Sequence, residues 1–143
     1  IGRKDSLNNV EETGEFVWNL VTRQLAHAMN ASCAPVPSNI NEFELAAVTP
    51  AESKVVRPPR VLESPVNFEC RVTQIIQLTT LENKTVPTWL VLGEVVGVHI
   101  DESLLKDGMY DTADAEHVLR GGGPADYFSL NQSALFKMYR PKA

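Results

Sequence analysis

Two long segments of alternating polarity constrain the fold of this chain more than any other feature. In the first, the apolar members are Val66, Phe68, Cys70 and Val72, and the polar members are Asn67, Glu69, Arg71 and Thr73. A period of two is typical of a β-strand with one face in the core and the other facing water. The sequence therefore predicts a strand with a wetter polar face, and it predicts that Cys70 is a core thiol.

The second segment, residues 89–100, carries apolar residues on both predicted faces. One face has Leu90, Leu92, Val96, Val98 and Ile100, and the other has Trp89, Val91, Val95 and His99. Such a strand is typically covered on both sides, as in a barrel packed against helices or a partner subunit. Gly93 and Gly97 would allow the coiling that barrel closure requires. Glu94 then needs a buried partner or a place at the barrel mouth.

The amino-terminal part of the chain predicts a helix followed by a strand. Asp5 or Ser6 can cap a helix with Leu7 and Val10 on one face, and Gly14 can supply the left-handed residue that ends it. Residues 15–21 then predict a strand.

Two further short helices are predicted before the long strands. Thr22 can cap a helix whose apolar face begins at Leu25, and Pro35 prevents that helix from continuing. Asn41 and Glu44 have the spacing of a capping box, which predicts the start of the next helix.

Composition limits the class of protein and its partners. With 143 residues, 43% of them hydrophobic and 22% charged, the chain is predicted to form one globular domain. A net charge of −5 argues against nucleic acid or an anionic membrane as a partner. The sequence contains neither an apolar run of about 20 residues nor a secretion signal, so a soluble cytoplasmic protein is expected.

The cysteines and histidines do not have the spacing of a metal site. Cys33 and Cys70 are far apart and belong to no C-x-x-C pair, and His27, His99 and His117 lack the close spacing that zinc sites use. We therefore expect reduced thiols and no bound metal.

The segment Gly2-Arg3-Lys4-Asp5-Ser6 has two alternative interpretations. Two cations beside a helix start, where backbone N–H groups are unpaired and the helix dipole is positive, could hold a phosphate. The same residues could also form an ordinary capped surface helix. On these five residues alone, the second interpretation is favoured because capping is common.

A series of short motifs in fixed order resembles a known family. The motifs are Gly2-Arg3-Lys4-Asp5-Ser6, Asn9, Thr13-Gly14-Glu15-Phe16-Val17, Asn19-Leu20, Met29-Asn30, Glu42-Phe43-Glu44, Pro58-Pro59-Arg60-Val61, Glu63-Ser64-Pro65, Glu69-Cys70 and Gly93-Glu94-Val95-Val96. Their order and spacing resemble the flavin reductase-like family of FMN-binding split barrels.

This resemblance implies a fold, an activity and partners. The implied fold is mainly β, an antiparallel Greek-key split barrel with short peripheral helices, forming a homodimer with one FMN per subunit. The implied reaction is hydride transfer from NADH or NADPH to flavin, with a monooxygenase as a further partner. An FMN-binding electron carrier and an interaction protein without cofactor are the alternatives. Catalytic acid or base residues are not expected, because the flavin performs the chemistry.

The resemblance also selects candidate residues for FMN binding. They are Arg3, Lys4, Asp5, Ser6, Asn19, Asn30 and Tyr127. The first four match the family's phosphate-binding segment, which reverses the preference for a simple capped helix. The two asparagines could instead satisfy nearby backbone groups. Tyr127 ends a segment, residues 120–127, that resembles the family's carboxy-terminal Arg, Gly-Gly and Tyr pattern, and its alternative is a surface turn.

The resemblance finally implies that part of the domain lies upstream. Relatives begin with several strands before the segment that matches residues 2–4, and these strands include residues that contact the flavin ring. We therefore expect residues 1–143 to be a single flavin reductase-like domain that lacks its amino-terminal portion.

Overall fold

The computed structural model describes residues 3–141, so Gly2 of the predicted phosphate segment lies outside the described residues. Its helices are α1 (Asp5–Thr13), α2 (Ala26–Ser32) and α3 (Glu42–Leu45). Its strands are β1 (Glu15–Asn19), β2 (Pro50–Ala51), β3 (Arg60–Val61), β4 (Val66–Thr79), β5 (Thr85–Ile100), β6 (Leu105–Lys106), β7 (Met109–Tyr110), β8 (Val118–Arg120) and β9 (Tyr127–Ser129). The prediction of a mainly β chain with short helices is confirmed.

The central element is an antiparallel sheet in the order β1-β4-β5. β4 and β5 form a long hairpin, and β1 pairs with only its inner part, from Asn67 to Arg71 of β4. Three small antiparallel pairs, β2 with β3, β6 with β7, and β8 with β9, lie around this sheet. The buried core at the inner end of the hairpin contains Leu20, Val66, Leu104 and Ala115.

The sequence predicts the end of α1 correctly but not its start. Gly14 adopts the predicted left-handed conformation, with φ of 68°, and its N–H donates to the Val10 carbonyl. The predicted caps Asp5 and Ser6 are wrong, because the helix already begins at Asp5 and the N-cap residue is Lys4. The Lys4 side chain has no acceptor, and within residues 3–141 it makes no capping hydrogen bond.

The next two helix starts also differ from expectation in detail. Leu25, not Thr22, is the N-cap of α2, because Thr22 forms a β-bridge with His117. The Asn41 and Glu44 pair is confirmed at the start of α3. The Asn41 side-chain oxygen accepts the Phe43 N–H at 3.1 Å, and its side-chain nitrogen donates to Glu44 at 3.1 Å.

The polar face of β4 is the main error of the sequence interpretation. Asn67 and Glu69, expected on the wetter face, are 1% and 0% exposed. The loop between β2 and β3 covers this face and donates backbone N–H groups to Glu69, and Arg60 at the start of β3 donates to Asn67. Cys70, on the opposite face, is buried as predicted.

The predictions for β1 and β5, the two strands that pair with β4, also need correction. β1 ends at Asn19 instead of position 21, because the chain then turns and the Val21 carbonyl accepts the N–H of Val118. In β5, the predicted coverage of both faces is not met within the described single chain, where Leu90, Leu92, Val95 and Val98 are 40% to 55% exposed. Glu94 is exposed opposite Arg71 and needs no buried partner.

Candidate functional site

The first turn of α1 offers backbone donors and a cationic side chain. The Lys4 carbonyl accepts the N–H groups of Leu7 and Asn8, at 3.0 and 3.3 Å. The N–H groups of Asp5 and Ser6 precede these and point out of the helix start, where the dipole is positive. Arg3, Lys4, Asp5 and Ser6 are all exposed. The structure therefore brings the four predicted phosphate residues together at one helix end.

Arg3 is more constrained than its three neighbours. Its Nε donates to the Asn8 side chain at 2.5 Å, and its guanidinium forms an ion pair with Glu11. The same guanidinium lies over the Trp89 ring, 5.8 Å from the ring centroid. Arg3 is thus turned along α1 and toward β5, which leaves Lys4 as the cation nearest the first turn.

A groove of about 470 Å³ separates α1 from the amino-terminal half of β5. Its lining residues are Lys4, Ser6, Leu7, Val10, Phe16, Pro87, Thr88, Trp89 and Val91. One end of the groove is therefore polar and cationic, and the rest is apolar with one large aromatic ring. Periodicity places Trp89 on a face of the predicted strand but does not indicate that this face lies against α1.

A larger cleft of about 700 Å³ lies on the other side of α1. Its walls come from α1, β1, α2, α3 and the loop before β3, and most of the lining surface is apolar. Ser6, Val10 and Phe16 line both the cleft and the groove. A volume of this size, apolar with a few polar groups, is typical of small-molecule sites.

An ion pair closes the cleft where the loop before β3 meets the end of α1. The Arg57 N–H and Nε donate to one oxygen of Glu15, at 3.0 and 3.3 Å, and Arg57 Nη2 donates to the Thr13 carbonyl at 3.2 Å. The N–H of Arg57 is the largest cause of a lowered pKa at Glu15; partial burial opposes it, and the charges of Arg57 and Arg71 add to it. Glu15 is thus held as a carboxylate.

A second carboxylate, Glu69, holds the same loop from inside. Its Oε1 accepts the Lys54 N–H at 2.8 Å and lies 2.5 Å from His99 Nε2, while Oε2 accepts the N–H groups of Val55 and Val56 at 2.6 and 3.0 Å. Burial alone would raise the pKa of Glu69, but these four hydrogen bonds outweigh it and lower the pKa to about 2. Sequence reasoning missed this residue because the alternation assigned it to a solvated face.

The remaining predicted residues are distributed over the chain. Asn19 lines the cleft, but its side-chain oxygen accepts the Val61 N–H at 3.0 Å. Asn30 is exposed on α2 and is not among the residues that line the cleft or the groove, although Met29 beside it lines the cleft. Tyr127 lies in β9 and is likewise outside both cavities.

Tyr127 belongs to a hairpin organised by Arg120. The Arg120 guanidinium lies 4.9 Å from the Tyr127 ring centroid and donates to the carbonyls of Gly122, Gly123 and Asp126, at 2.6 to 2.8 Å. Gly122 and Gly123 both have positive φ, which explains two glycines at this turn. The predicted surface turn is present, and a role for Tyr127 in binding stays a prediction.

Two further features of residues 3–141 concern metal ligation and the membrane. Within that range, no three side chains of His, Cys, Asp or Glu form a cluster suited to a metal ion. None of the helices described there is long and apolar enough to cross a bilayer.

Comparisons with known proteins agree with this architecture. The sequence model described as flavin reductase like domain matches residues 1–118. An uncharacterised protein of Halalkalibacterium halodurans is 34% identical over 120 residues, which are 84% of this chain and 57% of that protein. The chain spans about half the length of the curated relatives it matches.

Two solved structures are similar in three dimensions. Nitrilotriacetate monooxygenase component B from Bacillus cereus superposes with a TM-score of 0.85 and is 32% identical, over 95% of this chain and 65% of that one. Flavoredoxin of Desulfovibrio vulgaris (Miyazaki F) has a TM-score of 0.74 and 21% identity, over 98% and 68% of the two chains, and shows the fold alone. By its sequence and by the split-barrel fold that it shares with these structures, the chain belongs to the flavin reductase-like family.

Proposed function

We propose that this protein is an FMN-binding oxidoreductase that transfers a hydride from NADH or NADPH to the flavin. Membership of the flavin reductase-like family supports a flavin-related oxidoreductase. The observation that carries the more specific proposal is the first turn of α1, where two cavities meet at Ser6 beside the outward N–H groups and where Lys4 lines the groove.

The start of α1 has the donor set that a phosphate monoester requires. The N–H groups of Asp5 and Ser6, the Ser6 hydroxyl and the Lys4 ammonium would hold the phosphate, and Arg3 would add positive charge beside it. The fit is favourable because Lys4 does not cap the helix, so the first-turn N–H groups are not satisfied by its side chain.

The apolar walls suit the remainder of a flavin nucleotide. Val10 and Phe16 would pack against it and exclude water, and Pro58 would form the opposite wall of the cleft. When bound, FMN would supply the hydride acceptor, and this chain would supply binding, orientation and shielding from water. Asn19, Asn30 and Tyr127 remain part of the proposal as secondary contacts.

Two measurements test the proposal in sequence. Addition of the protein to FMN should quench the flavin fluorescence in proportion to a single site per chain, and anaerobic NADH or NADPH should then bleach the visible flavin absorbance. Absence of quenching would reject FMN binding. Quenching without bleaching over minutes would reject the reductase activity and leave an electron carrier.

A homodimer and a monooxygenase partner belong to the same proposal. The half-exposed apolar residues of β5 and the strongly exposed Phe136, Met138 and Tyr139 favour coverage by another chain. The similarity to a protein named as a monooxygenase component supports delivery of reduced flavin to such an enzyme. Free thiols at Cys33 and Cys70 are typical of a reducing compartment such as the cytoplasm. The homodimer is tested by light scattering of the purified protein, which should give the mass of two chains.

A further inference from the structure

Glu69 is a fully buried carboxylate in the middle of a β-strand, and its partners explain its presence. A buried charge is unfavourable unless hydrogen bonds replace its hydration. Both oxygens of Glu69 are satisfied, three times by consecutive backbone N–H groups of residues 54–56 and once by His99. The carboxylate therefore holds a specific loop conformation, because all three N–H groups must converge on it together.

The opposite strand is adapted to this arrangement. Glu69 pairs in register with Gly97 of β5, and a Cβ built at Gly97 would lie 3.3 Å from Glu69 Cβ and Cδ and 3.4 Å from a methyl of Val55. The two 3.3 Å distances are tighter than ordinary contacts, so a side chain at position 97 would press on Glu69, and it would also touch the loop at Val55. His99, two residues along β5 and 18% exposed, approaches from the outer side.

The loop continues directly into the wall of the cleft. After the three N–H groups that Glu69 accepts, the Arg57 N–H donates to Glu15, and Pro58 and Pro59 follow. Arg57, Pro58 and Pro59 line the cleft, and the Ser53 hydroxyl donates to the Pro58 carbonyl at 2.6 Å. Four consecutive backbone donors of this wall are therefore held by carboxylates that come from β4 and β1.

We propose that Glu69 is a positioning residue for nucleotide binding, which orders residues 53–59 as a wall of the cleft, with His99 holding the carboxylate in place. This inference rests on the proposed function. Replacing Glu69 by glutamine would place an NH₂ donor where one carboxylate oxygen accepts backbone N–H groups, so the loop would lose one of its two acceptor oxygens. The site would then be competent only in the fraction of molecules whose loop remains ordered.

The loop conformation can be measured without flavin. Lys54 and Val55 are exposed, and the bond between them is a tryptic site, whereas the Arg57–Pro58 bond resists trypsin. When opening is rapid, the rate of cleavage follows the population of the open loop. Glu69→Gln should therefore increase the initial rate of cleavage after Lys54. Mass spectrometry of the fragments over time measures this rate. Circular dichroism of the uncut protein reports whether the fold is retained.

Flavin affinity is the second readout. If the variant leaves the ordered loop about one tenth populated, the apparent Kd for FMN rises about tenfold. Glu63→Gln is the matched control, because the Glu63 carboxylate also accepts a backbone N–H, from Thr49 at 3.0 Å, and its hydrogen bonds within residues 3–141 go to Thr49 and not to residues 53–59. The control should leave the cleavage rate and the Kd unchanged.

Two milder variants at His99 test the same proposal if Glu69→Gln does not fold. His99→Ala removes one of the four donors and should raise both the cleavage rate and the Kd by a smaller factor. His99→Gln keeps an N–H donor at a similar reach and should restore both values toward those of the wild type. Rescue by glutamine is not expected if His99 serves only to fill space.

The outcomes separate this inference from the proposed function. Wild-type cleavage after Lys54 in folded Glu69→Gln, or faster cleavage with an unchanged Kd for FMN, would overturn the positioning role while leaving flavin binding intact. A wild-type protein that fails to bind FMN would refute the proposed function, and this inference with it, whatever the cleavage rates.

Discussion

Asn19 and Asn67 lie directly opposite each other in β1 and β4, and the Asn67 side-chain amide donates to Asn19 Oδ1 at 2.8 Å. The same oxygen accepts the Val61 N–H, so both of its lone pairs are engaged. Asn67 in turn accepts a hydrogen bond from Arg60 at 3.0 Å. This network joins β1, β3 and β4, and a ligand at Asn19 would have to compete with it.

Replacing Asn19 should therefore affect stability. In Asn19→Ala, the Val61 N–H loses its acceptor and the buried Asn67 amide keeps only the Val61 carbonyl at 3.4 Å, which should lower the free energy of unfolding by about 1–3 kcal/mol. Urea denaturation followed by tryptophan fluorescence measures this change. Asn30→Ala on the exposed side of α2 is the control and should stay within about 0.5 kcal/mol of the wild type. Equal stability of the two variants would contradict the structural role of Asn19.

Reversal of charge at the start of α1 should weaken flavin binding. Lys4→Glu places a carboxylate where the phosphate is proposed to lie, and the loss of a charge-assisted contact should reduce the FMN binding free energy by about 1–3 kcal/mol. Fluorescence quenching gives the Kd. Lys84→Glu in the turn between β4 and β5 makes the same change in net charge at a residue that lines neither cavity, and its Kd should match the wild type. An unchanged affinity in Lys4→Glu would remove Lys4 from the site.

Glu69 should make the protein sensitive to acid. Burial opposes its ionisation, but the N–H of Lys54, the His99 ring and the N–H groups of Val55 and Val56 hold its pKa at about 2, below the ordinary 4.5. A carboxyl whose pKa is lower in the folded state stabilises the fold above the unfolded pKa and loses this contribution as the pH falls. The wild type should thus lose stability between about pH 5 and 2.

The same pH window distinguishes Glu69 from the other carboxylates. Glutamine does not titrate, so urea midpoints of Glu69→Gln should fall less steeply over this range than those of the wild type. Glu15, Glu63, Asp101, Asp111 and Asp114 also have lowered pKa values and contribute with the same sign in both proteins. Parallel pH profiles would show that Glu69 does not contribute to acid sensitivity.

Gly93 should be intolerant of a methyl group. A Cβ built there would lie 2.5 and 2.7 Å from two atoms of the Phe16 ring and 3.1 Å from the Arg71 carbonyl. Because Phe16 lines both cavities, it cannot move without changing their shape. Gly93→Ala should cost about 1–3 kcal/mol of stability through overpacking. Thermal melts of the variant and the wild type measure this loss. Glu94 is exposed next to Gly93, so Glu94→Ala should be nearly neutral in the same measurement.

The sequence predicted those features that depend on local pattern. Alternation located the long hairpin strands, and Gly14 ended α1 as expected because a left-handed residue at a helix end is a local requirement. The clustering of residues 3–6 at a helix start also followed from local signals. The ordered motifs identified the family, which composition and periodicity alone could not do.

The errors arose where a distant segment decides the environment of a residue. Glu69 occupies a position that alternation assigns to solvent, and only the three-dimensional course of residues 53–56 places donors around it. Thr22 was expected to cap a helix, but its partner is His117, more than ninety positions along the chain. No property of the local sequence reports either contact.

The loop that Glu69 and Glu15 hold from behind has an electrostatic consequence for anything entering the cleft. A phosphate that approached residues 54–57 would find those amides engaged and two negative charges behind them. The opposite side of the cleft, at Ser6 in the first turn of α1, lies at the positive end of a helix dipole, and Lys4 adds positive charge in the adjoining groove. A nucleotide would therefore enter in one orientation, with its phosphate toward the helix and its ring nearer the loop.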